Sequence, residues 1–309
     1  MSMLIPTAAG AASKIFLKQW CNEVRVAGLP AFLDKFNSDR GVLTARATRQ
    51  TCLSLLVARS PVSRSDALNQ RELICSLHFT HSVDEPFMWG CLPISLFMES
   101  RTTRWTLGAS DMMFTGKWDS WFFSRGQVIE TFRGKGIYQK AIDHAAKKLN
   151  NGQWVHIFPE GMIKQDTLKE LRRFKWGISR LLFETDPGRM PHVVPIWIQG
   201  FEEVMDERRG WPRMLPRPGK NVSIMFGDSI NSAIDPLMAK YRTKFPTAWR
   251  PATYGNDVKD DLKVEPEGLA AMRSELADRM RDELMRLGND GRLEKLLEQE
   301  PNRIRWNRL

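Results

Sequence analysis

Apolar positions recur along this chain in two rhythms. Short continuous apolar runs bounded by turn residues lie at 73–77 (LICSL), 126–131 (GQVIET), 154–158 (WVHIF), 192–198 (HVVPIWI) and 221–227 (NVSIMFG). Runs of that length between Gly, Pro, Asn and Asp predict strands buried in a sheet. Elsewhere the spacing is three to four. Ile137, Ala141, Ala145 and Leu149 predict a helix that Asn150, Asn151 and Gly152 stop. Leu168, Leu171, Trp176, Ile178 and Leu181 to Phe183 predict another over 168–186. Lys169, Arg172, Arg173, Lys175 and Arg180 lie between them, so the second helix suits either an anionic surface or a crossover with a solvated basic face. Leu269, Met272, Leu276, Met280, Leu284 and Leu287 predict a long helix within 265–297. Strand, loop, helix and strand in succession over 126–158 is the grammar of an α/β sheet.

Other segments are read more coarsely. In 13–36, Ile15, Phe16, Trp20, Val24, Val26, Leu29, Phe32, Leu33 and Phe36 fall largely on one helical face, interrupted by Gly28 and Pro30. That helix would either lie at a membrane interface or cover the main domain. A loop and a short helix near 49–59 are expected within the polar stretch 37–72. A helix entry and a strand at 94–98 are expected after it. Gly108 reads as a break, and Trp118, Trp121, Phe122 and Phe123 read as core or as a lipid-facing patch. Pro195 would place its strand at a sheet edge or a bulge. Residues 200–217 read as loop and 231–263 as polar connections. Three segments result: an N-terminal amphipathic, membrane-associating one (1–45), a central domain (46–235) and a C-terminal helical extension (236–309).

Charge narrows the partners. A formal net charge of +10, spread along the chain, fits an anionic partner or plain solubility. No nucleic-acid-binding motif accompanies it, so the lipid surface is preferred and nucleic acid is set aside. The four cysteines have no metal-type spacing, and no metal site is expected. No apolar run reaches 18 residues, which excludes an ordinary transmembrane helix.

Candidate chemistry concentrates in three places. The run at 73–77 ends in His78 and His81, followed by Asp84, Glu85 and Pro86. Imidazole beside carboxylate at a strand end is how a general base is built: the carboxylate orients the ring and stabilises the imidazolium. Arg133, Gly134, Lys135 and Gly136 precede a helix, where free N–H groups and two cations would cradle a phosphate. Glu160 and Gly161 follow the strand at 154–158, where neither a helix nor a ladder accounts for a carboxylate.

The blocks DEPFMWG (84–90), RWTLGASDMMF (104–114), FFSRGQVIETFRGKGIYQ (122–139), WVHIFPEG (154–161), FKWGISRLL (174–182) and VVPIWIQGFEEVM (193–205) carry a resemblance. Over about residues 70–230 the chain resembles the tafazzin family of glycerolipid acyltransferases. The resemblance implies a glycerol-phosphate-acyltransferase-like α/β fold, a mixed sheet flanked by helices, to which the apolar spacing adds an N-terminal membrane-associating helix and a long C-terminal helix. It implies a mitochondrial transacylase, peripheral on the inner or outer membrane and facing the intermembrane space. Such an enzyme moves acyl chains between phospholipids and monolysocardiolipin without coenzyme A or another cofactor, on a cardiolipin-rich anionic membrane. It also implies that the 160–161 turn binds the substrate head group, whose phosphate the cradle read at Arg133 to Gly136 would suit. One departure stands out. The family's pattern is His, four residues, Asp, and counting back from Asp84 reaches Phe79. Either an inserted residue leaves His78, or else His81, to pair with Asp84, or the chain is a catalytically impaired lipid-binding member.

Overall fold

The structure, a computed structural model, describes residues 3–49, 84–161, 171–205, 215–246, 266–288 and 295. Among the described residues, seven strands form one sheet: β1 (Cys21–Ala27), β2 (Val42–Arg49), β3 (Trp105–Ala109), β4 (Val128–Thr131), β5 (Trp154–Ile157), β6 (His192–Gln199) and β7 (Lys220–Phe226). Their spatial order is β1-β7-β6-β2-β5-β3-β4. Every pairing is parallel except β6 with β7, so the sheet is mixed, as the α/β reading expects.

Alternation along the strands sorts side chains into two cores. Leu43, Ala45, Val155, Ile157, Val193 and Trp197 face one layer. That layer is built from α6 (Lys140–Asn150), α7 (Gly177–Phe183), α9 (Asn231–Lys244) and α10 (Leu269–Gly288). Val42, Trp154, Val194, Ile196 and Ile198 face the other. There the cover is α1 (Leu4–Trp20), α2 (Leu29–Asp34) and α3 (Asp84–Met88), followed by 3-10 turns at Trp89–Cys91 and Ile94–Phe97. Residues of both flanking segments, 1–45 and 236–309, thus enter the cores of the sheet.

α1 docks through small residues. Ser13 Oγ lies 2.8 Å from the Pro86 carbonyl, and Phe16 stacks on Phe87 at 3.8 Å. A Cβ on Gly90 would stand 2.4 Å from the Ser13 carbonyl oxygen. Gly90→Ala is therefore expected to lower stability by about 1–3 kcal/mol, read as a lower urea midpoint with an unchanged m-value.

Several expectations are corrected. The helical face read over 13–36 is broken: Val24 and Val26 belong to β1, which pairs in parallel with β7. Gly28 ends β1 at φ +73, where a Cβ would fall 1.8 Å from the Phe226 carbonyl oxygen. The loop expected after residue 37 contains β2, a central strand, and the helix proposed near 49–59 lies outside the described residues beyond Arg49. Residues 94–97 form a 3-10 turn instead of a strand. Gly108 sits inside β3, giving room to Val128 and Met113. The helix read over 168–186 begins only at Gly177. Pro195 lies on an interior strand: its carbonyl accepts the Gly227 N–H at 2.9 Å, where the β6–β7 pairing stops, so the donor that proline lacks falls at the end of that ladder. α8 (Phe201–Val204) lies inside the stretch read as loop, and α9 occupies part of the stretch read as polar connections. α5 (Lys117–Arg125) carries the aromatic cluster, and none of its residues is buried, which removes the core reading.

Candidate active site

Parallel strands β6, β2, β5, β3 and β4 deliver their C-terminal ends to one edge, where open α/β sheets bind ligands. β5 runs out there into Phe158, Pro159 and Glu160. The Gly161 N–H donates to the Phe158 carbonyl at 3.0 Å, closing a turn that needs φ +68 at Gly161. The Lys175 N–H donates to the Pro159 carbonyl at 2.7 Å and ties the turn to the segment before α7. Glu160 is half-buried, and its Oε2 accepts the Arg172 N–H at 3.2 Å. Burial pushes its carboxyl above the ordinary range. The Arg172 N–H and the charges of Arg46 and Arg172 offset that only in part.

Arg46 lies in the stretch 37–72 that reads as polar, and the sequence does not single it out. On β2 it shares a face with Val42 and Thr44, is 4% exposed, and holds its guanidinium 4.8 Å from the centre of the Phe158 ring. The register that pairs Thr44 with His156 brings it there. Below it, Thr44 Oγ1 lies 2.8 Å from His156 Nδ1 and accepts from Trp154 Nε1 at 2.9 Å. Trp89 stands edge-on to both Trp154 and His156, at 5.0 and 4.8 Å between ring centres. His156, the histidine within WVHIFPEG, is fully buried in this layer and holds the core under the site. The signal that could have found Arg46 is the period-two pattern Val42, Thr44, Arg46 opposite Leu43 and Ala45, which marks a strand instead of a loop.

Asp84 is the first residue of α3, whose end feeds Trp89 into that aromatic layer. The helix is therefore held over β5 by α1 on one side and by Trp154 and His156 on the other. His78 and His81, with Phe79 between them, lie outside the described residues.

The 133–136 loop follows β4. The Gln139 side chain braces it: Oε1 accepts the Phe132 N–H at 2.9 Å, and Nε2 donates to the Gly136 carbonyl at 2.7 Å. Gly134 and Gly136 have φ +79 and +73, and a Cβ on either would meet nothing within 4 Å. They are needed for backbone conformation, and the space beside them is open. Arg133 reaches α4 (Ser110–Met113): Nη1 is 3.3 Å from Asp111 Oδ2, and Nη2 is 2.9 Å from Met112 Sδ. The predicted head-group residues therefore form two groups at one end of the sheet. Glu160 and Gly161 stand with Arg46 and Arg172, and Arg133 to Gly136 stand with α4. β3 separates β5 from β4, so the groups are two strand spacings apart, roughly 10 Å.

Beneath the loop lies a buried ionic cluster. Arg180, read from sequence as part of a basic face, is buried. Its Nη1 donates to the Ile137 carbonyl at 2.5 Å, Nη2 to Asp143, and Nε to Glu184 at 2.5 Å. Its guanidinium stacks 5.0 Å from the Tyr138 ring, and the Tyr138 hydroxyl accepts from Arg273 at 2.7 Å. Burial alone would lower the Arg180 pKa, but Glu184 and Asp143 more than offset that and raise it. The cluster pins the second half of the loop to α6, α7 and α10.

A family model described as Acyltransferase matches residues 59–199 of the chain. A relative named Taffazin in Dictyostelium discoideum is 41% identical over 174 residues, covering 56% of this chain and 59% of its own length. N-acylphosphatidylethanolamine synthase of Arabidopsis thaliana is 35% identical over 170 residues, covering 54% and 58%. Tafazzin of Saccharomyces cerevisiae is 30% identical over 272 residues, covering 75% of this chain and 69% of its own length. The chain thus spans about three-fifths of the length of the first two relatives.

Proposed function

The chain belongs to the tafazzin family of the acyltransferase superfamily, and from that premise we propose that it transfers an acyl chain from a phospholipid to a lysophospholipid, with monolysocardiolipin as acceptor and cardiolipin as product. The reading places it peripherally on a mitochondrial inner or outer membrane, facing the intermembrane space. The observation that carries it is that the 160–161 turn and the 133–136 loop both leave parallel strands at the C-terminal edge of the sheet. A histidine held by Asp84, His78 before His81, takes the proton of the lysolipid hydroxyl. That oxygen attacks the donor's ester carbonyl. The tetrahedral intermediate then expels the donor's glycerol oxygen, which takes the proton back from the imidazolium. One ester is broken and an equivalent one is formed, so the exchange is close to isoenergetic and requires neither coenzyme A nor ATP. Glu160 accepts a hydrogen bond from a head-group hydroxyl and holds Arg46 and Arg172 near the phosphate. Arg133 and the glycine loop face the second half of the head group.

The test is mass-spectrometric. Purified protein, phosphatidylcholine donor vesicles and monolysocardiolipin, without coenzyme A, should yield cardiolipin carrying the donor's labelled chain. Phosphatidylethanolamine as acceptor, suggested by the name of the Arabidopsis relative, should yield far less N-acylated product. Vesicle binding without any transfer would replace the enzyme reading with the lipid-binding one that Phe79 raises.

Glu160→Gln separates function from fold. Loss of a hydrogen bond to a charged group is worth about 1.5–3 kcal/mol, so KM for the acceptor should rise roughly ten- to a hundredfold. Stability moves the other way. A carboxylate whose folded pKa exceeds its unfolded one costs stability as pH rises through that interval. The variant should therefore melt at the same temperature as the parent, or higher, at pH 7. Any such gain should vanish below the carboxylate range, where both forms are neutral.

A further inference from the structure

α5 is an aromatic helix that the sheet does not bury. Trp118 is 83% exposed, Trp121 47% and Phe122 36%. A core helix turns such side chains inward, and single exposed apolar residues are ordinary, but three large aromatics within one and a half turns form a patch. Cations bracket it. Lys117 and Arg125 stand at the helix ends, and the Arg125 guanidinium lies 4.5 Å from the centre of the Trp121 ring. Asp119, the one acidic residue of α5, accepts from the Thr115 hydroxyl at 2.7 Å. α5 also touches α1, which has no acidic residue and holds Ile15 at 55% exposure.

We propose that the Trp118–Trp121–Phe122 face of α5 is the surface by which the protein enters the head-group layer of an anionic phospholipid bilayer. The charge pattern selects a bilayer over a protein partner. Indole rings favour the boundary between head groups and acyl chains. The flanking Lys and Arg reach lipid phosphates from that depth. Position agrees with use. α4 touches α5 and carries Asp111 and Met112, which hold Arg133, so the face that enters the interface is fastened to the phosphate loop. A lipid lifted at this face meets the loop without crossing water. This inference rests on the phospholipid acyltransferase reading for its purpose, and its test does not depend on catalysis.

The full chain is sedimented with vesicles of phosphatidylcholine alone, and with vesicles containing about 30 mol% phosphatidylglycerol. The parent should bind the anionic vesicles, less so in high salt. The triple variant Trp118→Ser, Trp121→Ser, Phe122→Ser should bind at least about tenfold more weakly, and Trp118→Ser alone several-fold more weakly. All three positions are exposed, so the melting temperatures should match. Brominated acyl chains should quench the parent's fluorescence more than that of Trp118→Ser. Acyl transfer to a short-chain lysolipid dispersed as monomers should be equal in parent and triple variant, while transfer on anionic vesicles should drop with binding. Parent-like vesicle binding by the triple variant overturns the proposal. So does a parent dimer, found without lipid, that the triple variant abolishes. If no transfer occurs on any substrate yet the binding results stand, the function reading fails and the membrane face survives.

Discussion

Asp84→Asn should reduce acyl transfer by roughly 10²- to 10⁴-fold while leaving the protein folded. The asparagine is nearly isosteric, and the backbone of α3 is held from outside the substituted group: Ser13 reaches the Pro86 carbonyl, Phe16 stacks on Phe87, and Trp89 is wedged against Trp154 and His156. What is lost is the negative charge that orients an imidazole and stabilises it once protonated, an effect of about 10²–10⁴ in general acid–base catalysis. The decisive set is Asp84→Asn, His78→Ala and His81→Ala, assayed for transfer to monolysocardiolipin with melting temperature as the control. Joint loss in Asp84→Asn and His78→Ala, with His81→Ala near the parent, identifies the base and explains Phe79 as the result of one inserted residue. Full activity in both Asp84→Asn and His78→Ala would remove the pair from the mechanism.

Arg180→Met should destabilise the fold by about 3–5 kcal/mol, the cost of stripping one partner from a buried ion pair. Methionine fills similar volume but leaves the carboxylates of Asp143 and Glu184 without their shared cation and the Ile137 carbonyl without its donor. Burial already holds the Glu184 carboxyl above the ordinary range, with Arg180 opposing it. Removing the arginine raises that pKa further. A carboxyl with a raised folded pKa loses stability as pH climbs from the unfolded value to the folded one. The deficit of the variant, read by urea unfolding, should therefore be larger at pH 8 than at pH 5. Adding Glu184→Gln should restore part of it, because one buried charge is then gone. A deficit below about 1 kcal/mol, the worth of a surface pair, would show that water reaches the cluster.

Much of the functional region was legible because its signals are local. The strand at 154–157, the turn at 159–161 and the helix stopped by Asn150 to Gly152 are written in short runs and stop residues, and the structure has them where the pattern puts them. β2 was missed although its period-two pattern is present, and β1 was not legible. Cys21–Ala27 is a strand because β7, far along the chain, offers it an open edge, and an isolated segment with mixed polarity does not reveal that offer. The basic helix over 168–186 failed for a related reason. Apolar spacing of three to four is present through 171–176, yet that stretch is tied to the Pro159 turn and helix begins only at Gly177.

By itself, then, the sequence determined the α/β alternation, the long C-terminal helix, the glycine loop and the carboxylate turn, since each depends on periodicity and on residues within one turn of the element. Tertiary structure alone decided which groups lie inside and which outside. Arg46 and Arg180 are buried cations because Phe158 and Glu160, or Asp143 and Glu184, arrive from other elements to meet them. Trp118, Trp121 and Phe122 are exposed because α5 packs against β4, α4 and α1 at the edge of the sheet and contributes to neither core. Burial is a property of neighbours, and neighbours are set by the fold as a whole.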